Sequence, residues 1–485
     1  MSGGPALGDR PMLIGGERQG AATGETLEAV NPATGEVLGR FPRGQAEDVD
    51  RAVRAAADAF PGWKATTATD RAACLNRLAD LVLESSDELA ALDVADNGSP
   101  VKEMRNDAHI AVAQMRYFAG LALQLRGETI PTGHDRLNYT LREPFGVVGR
   151  IIPFNHPLMF AASKIAAPLI AGNTVVLKPS EHTSLSALRL AELIVEAFPP
   201  GVVNVVTGLG AEAGDALVAH PLVRRLAFIG SVAIGLSIQR RAAESVVKAV
   251  TLELGGKNPI AIFPDADLEA AVDGALRGMN FTWQGQSCGS TSRLLVHRSL
   301  HGQFVELLAA RLEGLRSGPP GEEDTDTGAI VHQAQYEKVV SYLALGREEG
   351  ARVVVGGGPV AVEGHREAFI RPTLFDEVRP GSRLAQEEIF GPVLAVLPFR
   401  DYAEAIEIAN SVSYGLTASV FTDDLAIAHR FARDVEAGYV WVNDSSRHFL
   451  GAPYGGVKNS GVGREEGIEE MQSYAEPKNV NVRFD

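Results

Sequence analysis

Cys288, Glu253 and Asn155 are the residues of this chain whose types and settings suit nucleophilic chemistry. Cys288 lies in FTWQGQSCGS (281–290), between Gly285, Gln286, Ser287 and Gly289, which are small or polar neighbours. A reachable thiol is a nucleophile, whereas a core thiol packs as a small apolar group. Glu253 closes the apolar part of TLELGGKNP (251–259), just before a glycine pair. A carboxylate in partly apolar surroundings has a raised pKa, which suits a general base near neutral pH. Asn155 sits in IIPFNHP (151–157), where two prolines pin the turn. An amide NH2 held rigidly donates well to a developing oxyanion. Each has an ordinary reading too: a core cysteine, a strand-end glutamate, a turn-forming asparagine.

Two other stretches suit a nucleotide. LAFIG (226–230) runs into GSVAIG (230–235), placing glycines at a strand-to-helix turn where backbone approaches an anion. The spacing is GxxxxG, and no GK[ST] follows, so a triphosphate loop is not supported. KPSE (178–181) follows the apolar strand TVVLK (174–178). Ligands of open α/β sheets bind outside the carboxyl ends of strands, where a Lys and a Glu suit ribose hydroxyls.

The elements that must hold these residues are legible in the periodicity. Two amphipathic helical stretches come early, one marked by Val49, Ala52, Val53, Ala56 and Phe60, the other by Cys74, Leu78, Leu81, Val82 and Ser85. The second stripe places Cys74 on a buried helix face. From residue 147, strand and helix alternate: TVVLK, a helix over about 182–198, VVNVV (202–206), LAFIG and VVKAVTLEL (246–254). A second alternating block follows Cys288, with strands RLLVH (293–297), RVVV (352–355), PVLAVLPF (392–399), LTASVF (416–421) and YVWVN (439–443). Such alternation predicts parallel sheets with crossover helices in two α/β units.

Composition narrows the function. The chain has 485 residues, 45% of them hydrophobic and 22% charged, which is ordinary for a globular protein with a large core. A formal net charge of −16 argues against a nucleic-acid partner. Two cysteines give no disulfide framework, and neither CxxC nor HExxH occurs, so no metal site is expected. The first residues, MSGGPALGDRPML, do not read as a secretory signal, and the apolar run at 165–177 is too short to span a bilayer. No membrane association and a reducing, cytoplasmic location are therefore expected.

PFN, KPSE, FIGS, ELGGK, GQSC, EEIFGPV (387–393) and PYGGVKNSGVGRE (453–465) occur in this order. Together they resemble the NAD(P)-dependent aldehyde dehydrogenase superfamily, from NPATGE (31–36) to YAEPKNV (474–480). The resemblance implies an aldehyde dehydrogenase-like α/β fold: two Rossmann-type domains with parallel sheets and a small β oligomerisation arm. It places an NAD-binding domain at 1–125 and 146–252, a catalytic domain at 253–455, and oligomerisation strands at 126–145 and 471–485. It also implies a homodimer or homotetramer.

By the same resemblance Cys288 is the nucleophile, forming a thiohemiacetal with a small-molecule aldehyde. Asn155 helps hold the oxyanion, hydride leaves to NAD, and Glu253 activates the water that hydrolyses the thioester. Lys164 and Glu465 match positions linked to proton transfer. The cofactor set is Ile152, Pro153, Phe154, Lys178, Ser180, Glu181, Phe228, Gly230, Ser231, Ile234, Leu254, Gly255, Glu388 and Phe390. Glu181 favours NAD over NADP, because a carboxylate accepts from a free 2′-hydroxyl and repels a 2′-phosphate. His156, Phe160, Ser163, Trp283 and Ser287 would line the substrate tunnel, with smaller or more polar side chains at His156 and Ser163 than several relatives carry. The competing readings are an acylating dehydrogenase that passes the thioester to coenzyme A, a cysteine esterase and a silent binding protein on the same fold.

Overall fold

The computed structural model describes residues 9–244 and 246–484. Its centre is an eight-stranded sheet in the order Glu17–Gln19, Met12–Ile14, Val203–Val205, Thr174–Lys178, Val147–Ile151, Val223–Gly230, Ala249–Leu254 and Gly461–Val462. The five strands from Val203–Val205 to Ala249–Leu254 run parallel. Their buried side chains are mostly apolar, which is why TVVLK, buried throughout, reads as a continuous apolar run and not an alternation. Strand order reverses beside Val147–Ile151, so the carboxyl ends of this strand and of Val223–Gly230 open into a crevice. The segments leaving those ends are Ile152–Asn155 and Gly230–Ser231.

A seven-stranded sheet has the order Arg352–Val355, Thr373–Asp376, Val393–Phe399, Arg293–His297, Pro259–Ile262, Thr417–Phe421 and Tyr439–Val442, parallel except at the Arg352–Val355 edge. A third, three-stranded sheet pairs Ala475–Arg483 and Thr129–Ile130 with the two sides of Arg136–Pro144. The strand Ala475–Arg483 is mostly exposed, and Arg136–Pro144 is mostly half-buried.

The expected strands are present, and the helix expected over 182–198 is Leu185–Ala197. Pro259–Ile262, Thr373–Asp376 and Gly461–Val462 carried no readable signal. The first two are four-residue runs, and the last is a two-residue pairing fixed only by its partner strand. Gly461 lies opposite Glu253 and Val462 opposite Leu252, so the C-terminal segment returns to the first sheet next to Glu253. The boundary expected at 252/253 falls inside the strand Ala249–Leu254. Cys74 differs from expectation: it is half-buried at the margin of the apolar cluster, because the buried stripe of its helix runs through Leu75, Leu78, Ala79 and Val82. No helix of the described residues is long and apolar enough to cross a membrane.

Candidate active site

Cys288 lies in a loop between the single 3-10 turn Phe281–Trp283 and the strand Arg293–His297. The loop is bent by left-handed residues at Asn280, Gln284 and Gly285. A side chain at Gly285 would overlap the carbonyl of Gly391, so only glycine fits. The amide of Asn258 pins the loop from below, donating to the carbonyls of Cys288 at 2.8 Å and Ser290 at 3.0 Å while accepting from the Thr417 backbone N–H. Asn258 lies in TLELGGKNP, where the sequence pattern gives it no evident role. Cys288 Sγ is 3.9 Å from the Tyr454 hydroxyl. Burial pushes the thiol pKa up, and the Glu253 carboxylate adds to that; the Tyr454 hydrogen bond works the other way.

Glu253 is 95% buried by its strand neighbours and its Oε1 has no hydrogen-bond partner. Burial holds its pKa well above the ordinary carboxylate value, and Glu465 raises it further while Lys164 lowers it. Glu465 is buried as well but lies between two cations, 2.6 Å from Arg150 Nη2 and 2.9 Å from Lys164 Nζ. Burial would raise it, but Arg150 and Lys164 outweigh that and hold it down to about 2. Burial likewise works to lower Lys164, and Glu465 overrides it, keeping the ammonium charged. Glu466 binds His448 Nδ1 at 2.9 Å, and His448 lies against the Tyr454 ring at 4.4 Å between centroids. Tyr454 is fixed by reciprocal backbone hydrogen bonds with Glu465.

Two cavities meet at the thiol. A cleft of about 140 Å³ is lined by Pro153, Phe154, Asn155, Gly230, Ser231 and Glu388, among others, and a cavity of about 610 Å³ opens on the other side. Ile229, Glu253 and Cys288 border both. Asn155 is buried at the cleft, and Asn97 fixes its turn by donating to the Phe154 carbonyl at 2.6 Å. Phe154 and Phe390 meet edge to face at 5.7 Å. Phe390 holds a left-handed φ of 58°, kept there by Gln335, whose amide donates to the Ile389 and Phe390 carbonyls. Glu388 accepts from the Gly256 N–H at 3.0 Å, and a Cβ at Gly255 would collide with its carboxylate. Lys338, also in the cleft, was not singled out from the sequence.

The remaining nucleotide candidates line up along the carboxyl ends of the strands. Lys178 Nζ bonds Glu181 at 3.1 Å, and Ser180 and Ile152 are buried beside them. Burial would raise Glu181, but Lys178 and local hydrogen bonds bring its carboxyl below the ordinary value. Ser231 caps the helix Val232–Ala242 by accepting from the Ile234 N–H, and Ile234 is exposed on the first turn. Gly230 leaves room for the Phe228 ring, and buried Leu254 closes the strand beside them. The crevice, the helix start and the glycine that admits Glu388 fit a dinucleotide. Among the described residues no group of three or more His, Cys, Asp or Glu is arranged to hold a metal ion.

Of the five tunnel candidates, His156, Phe160, Trp283 and Ser287 line the larger cavity and Ser163 does not. Ser163 is 99% buried and its hydroxyl turns back to donate to the Met159 carbonyl at 2.6 Å, one helical turn earlier. Residues not foreseen complete the wall: Glu103 and Asp107 from the helix Val101–Gly120, Arg277, and Phe449 and Leu450. The signals that existed were weak. Asp107 reads as a helix-face charge, and Tyr454 as one aromatic in a glycine-rich turn.

The family model described as the aldehyde dehydrogenase family matches residues 19–480. The chain is 48% identical over 483 residues to aldehyde dehydrogenase tropH of Talaromyces stipitatus, covering 98% of this chain and 93% of that protein. It is 44% identical to the mitochondrial aldehyde dehydrogenase of Equus caballus, covering 97% and 95%. Among solved structures, an NAD+ complex of aldehyde dehydrogenase from Bacillus cereus superposes with a TM-score of 0.95 at 43% identity, covering 98% and 97%. A mutant of the P. syringae indole-3-acetaldehyde dehydrogenase AldA, in complex with NAD+ and IAA, gives 0.96 at 40% identity, covering 98% and 96%.

Proposed function

The chain belongs to the aldehyde dehydrogenase family, and from that premise we propose a hydrolytic route in which Cys288 carries the acyl group and Glu253 delivers water to it. The observation that supports this most is the meeting of the two cavities at Cys288 and Glu253. An aldehyde in the larger cavity and a nicotinamide in the cleft would face each other across the sulfur.

In this reading the Cys288 thiol gives up its proton to water in the adjoining cavity, the resulting thiolate adds to the carbonyl carbon, and the carbonyl oxygen takes the negative charge. Asn155 donates to that oxygen, together with the Cys288 N–H. A preorganised donor of this kind changes rate by ~10²–10³-fold. NAD, when bound, supplies the hydride acceptor that turns the thiohemiacetal into a thioester. Glu253 then takes a proton from water as the water attacks the thioester, and the C–S bond breaks to release the acid and return the Cys288 sulfur. Its unpartnered Oε1 and its raised pKa suit that task. Lys164 and Glu465 stay paired and charged, fixing the field around Glu253.

Pro153, Phe154, Gly230, Ser231, Gly255, Glu388 and Phe390 would hold the nicotinamide half and the pyrophosphate, with Ile152, Phe228, Ile234 and Leu254 shaping the crevice. Lys178, Ser180 and Glu181 would meet the adenosine ribose. The ionised Glu181 supports NAD over NADP. Residues 9–125 and 146–252 would then form the NAD-binding domain and 253–455 most of the catalytic domain. The exposed strand Ala475–Arg483 leaves an edge of the small sheet open, and such an edge is covered in a homodimer or homotetramer. A mechanism that runs through a free thiol suits a reducing compartment such as the cytoplasm.

The test is NADH formation from a panel of aldehydes, with and without coenzyme A. The proposal expects turnover without coenzyme A and release of the free acid. A strict requirement for coenzyme A would assign the acylating route instead.

A further inference from the structure

The wall of the larger cavity distinguishes among aldehydes: among its aromatic and aliphatic faces stands a histidine held by a buried carboxylate. The ring of His156 lies 5.4 Å from Phe160 and 5.5 Å from Trp283, centroid to centroid. Ile110, Leu276, Phe449 and Leu450 complete a mostly apolar lining. Such rings and aliphatic faces fit an aromatic ring of substrate. His156 Nδ1 is bound to Asp107 Oδ2 at 2.8 Å. Asp107 is 99% buried, projects from the helix Val101–Gly120, and has no partner for its other oxygen. With Nδ1 donating to the carboxylate, Nε2 of that tautomer is the ring's acceptor. Nε2 has no protein partner among the described residues and is not sealed from the cavity.

The wall offers an anionic substrate tail no free Lys or Arg partner. Glu103, Asp107, Glu253, Glu465 and Glu466 all border the cavity. Its two Lys or Arg residues are committed elsewhere, Lys164 to Glu465 at 2.9 Å and Arg277 to Asp444 at 2.8 Å. A carboxylate on the substrate would meet carboxylates and no unpaired cation.

Resting on the aldehyde-oxidation reading above, we propose that His156, oriented by Asp107, is a specificity subsite that accepts a hydrogen bond from a hydroxyl on a neutral aromatic aldehyde. Asp107 is a positioning residue in this account, and His156 is the group that touches substrate.

The experiment compares kcat/KM for benzaldehyde, 3-hydroxybenzaldehyde, 3-methoxybenzaldehyde and 3-carboxybenzaldehyde with NAD. The methoxy compound keeps the size and the oxygen but lacks the donor. The wild type should prefer hydroxy to methoxy by about tenfold, the worth of one well-placed hydrogen bond, and 3-carboxybenzaldehyde should be the poorest of the four. His156→Phe should bring the hydroxy-to-methoxy ratio near one, mainly through KM. Asp107→Asn, which removes the charge and keeps the shape, should lower the ratio part of the way. NAD binding and thermal melting of both variants establish that they are folded; if the Phe variant is not, His156→Gln replaces it. Equal wild-type rates for hydroxy and methoxy, a carboxylate as the best substrate, or an unchanged ratio in the His156 variant would each overturn the subsite. NADH from none of the four, with NAD bound, would instead sink the aldehyde-oxidation reading on which it rests.

Discussion

Glu253 and Glu465 border the same cavity and expose 5% and 7% of their surface, yet their environments drive them to opposite states. Glu465 has Arg150 and Lys164 within 3 Å and stays ionised far into acid. Glu253 has an unpartnered oxygen and a strongly raised pKa. Equal burial thus has unequal consequences, because the desolvation cost is offset only where cations stand close. Two carboxyls pushed apart in this way mark an acid–base assignment: the free one is the proposed base, and the paired one anchors the field.

The contrast is sharpened first by removing the group that Glu253 is proposed to serve. Cys288→Ala should lower aldehyde oxidation by on the order of 10⁴-fold or more, with NAD binding retained in a fluorescence titration. Retained turnover would remove the purpose of the neighbouring base. Glu253→Gln should slow steady turnover by ~10²–10⁴-fold while leaving a rapid first release of NADH in stopped flow. In the wild type, the hydrolytic step should accelerate as pH rises through the raised Glu253 pKa, since only the ionised form accepts the proton.

Breaking the other carboxylate should damage stability more than chemistry. Lys164→Met leaves Glu465 partly uncompensated, and disrupting a buried pair costs about 3–5 kcal/mol, measurable by denaturant unfolding. Glu465 has a lowered folded-state pKa, so its contribution is present above the ordinary value of 4.5 and is lost as pH falls toward about 2. The Lys164 variant should show a weaker and less acid-shifted limb, because Arg150 still holds Glu465 down. The smallest effect belongs to Tyr454→Phe. One hydrogen bond to sulfur is worth about 1 kcal/mol, so alkylation of Cys288 by iodoacetamide should slow roughly fivefold at fixed pH.

Much of this comparison was visible in the sequence on one side only. Glu253, Cys288 and Asn155 announce themselves because reactive types stand beside glycines and prolines. The apolar run of TLEL placed Glu253 at a strand end, and the second alternating block placed Cys288 near its start. The partners that set their states were not legible. Arg150 reads as one polar residue inside an apolar strand, and its ion pair with Glu465 spans more than 300 residues. Gly461–Val462 has no pattern of its own, yet it seals the sheet beside Glu253. Ser163 pointed the wrong way because a helical serine can satisfy itself on its own backbone. Asp107 meets His156 only because two helices cross there. Periodicity reports which face of an element is apolar; it does not report which charged residues from distant elements converge.

The division of labour between sulfur and carboxylate is tested most directly by acid-quenching Glu253→Gln after mixing with NAD and an aldehyde, then mapping peptides by mass spectrometry. The account predicts an acyl mass on the peptide containing Cys288, accumulating to nearly one per chain during the NADH burst and absent from the Cys74 peptide. Wild-type steady turnover with no acyl adduct on Cys288 would contradict it.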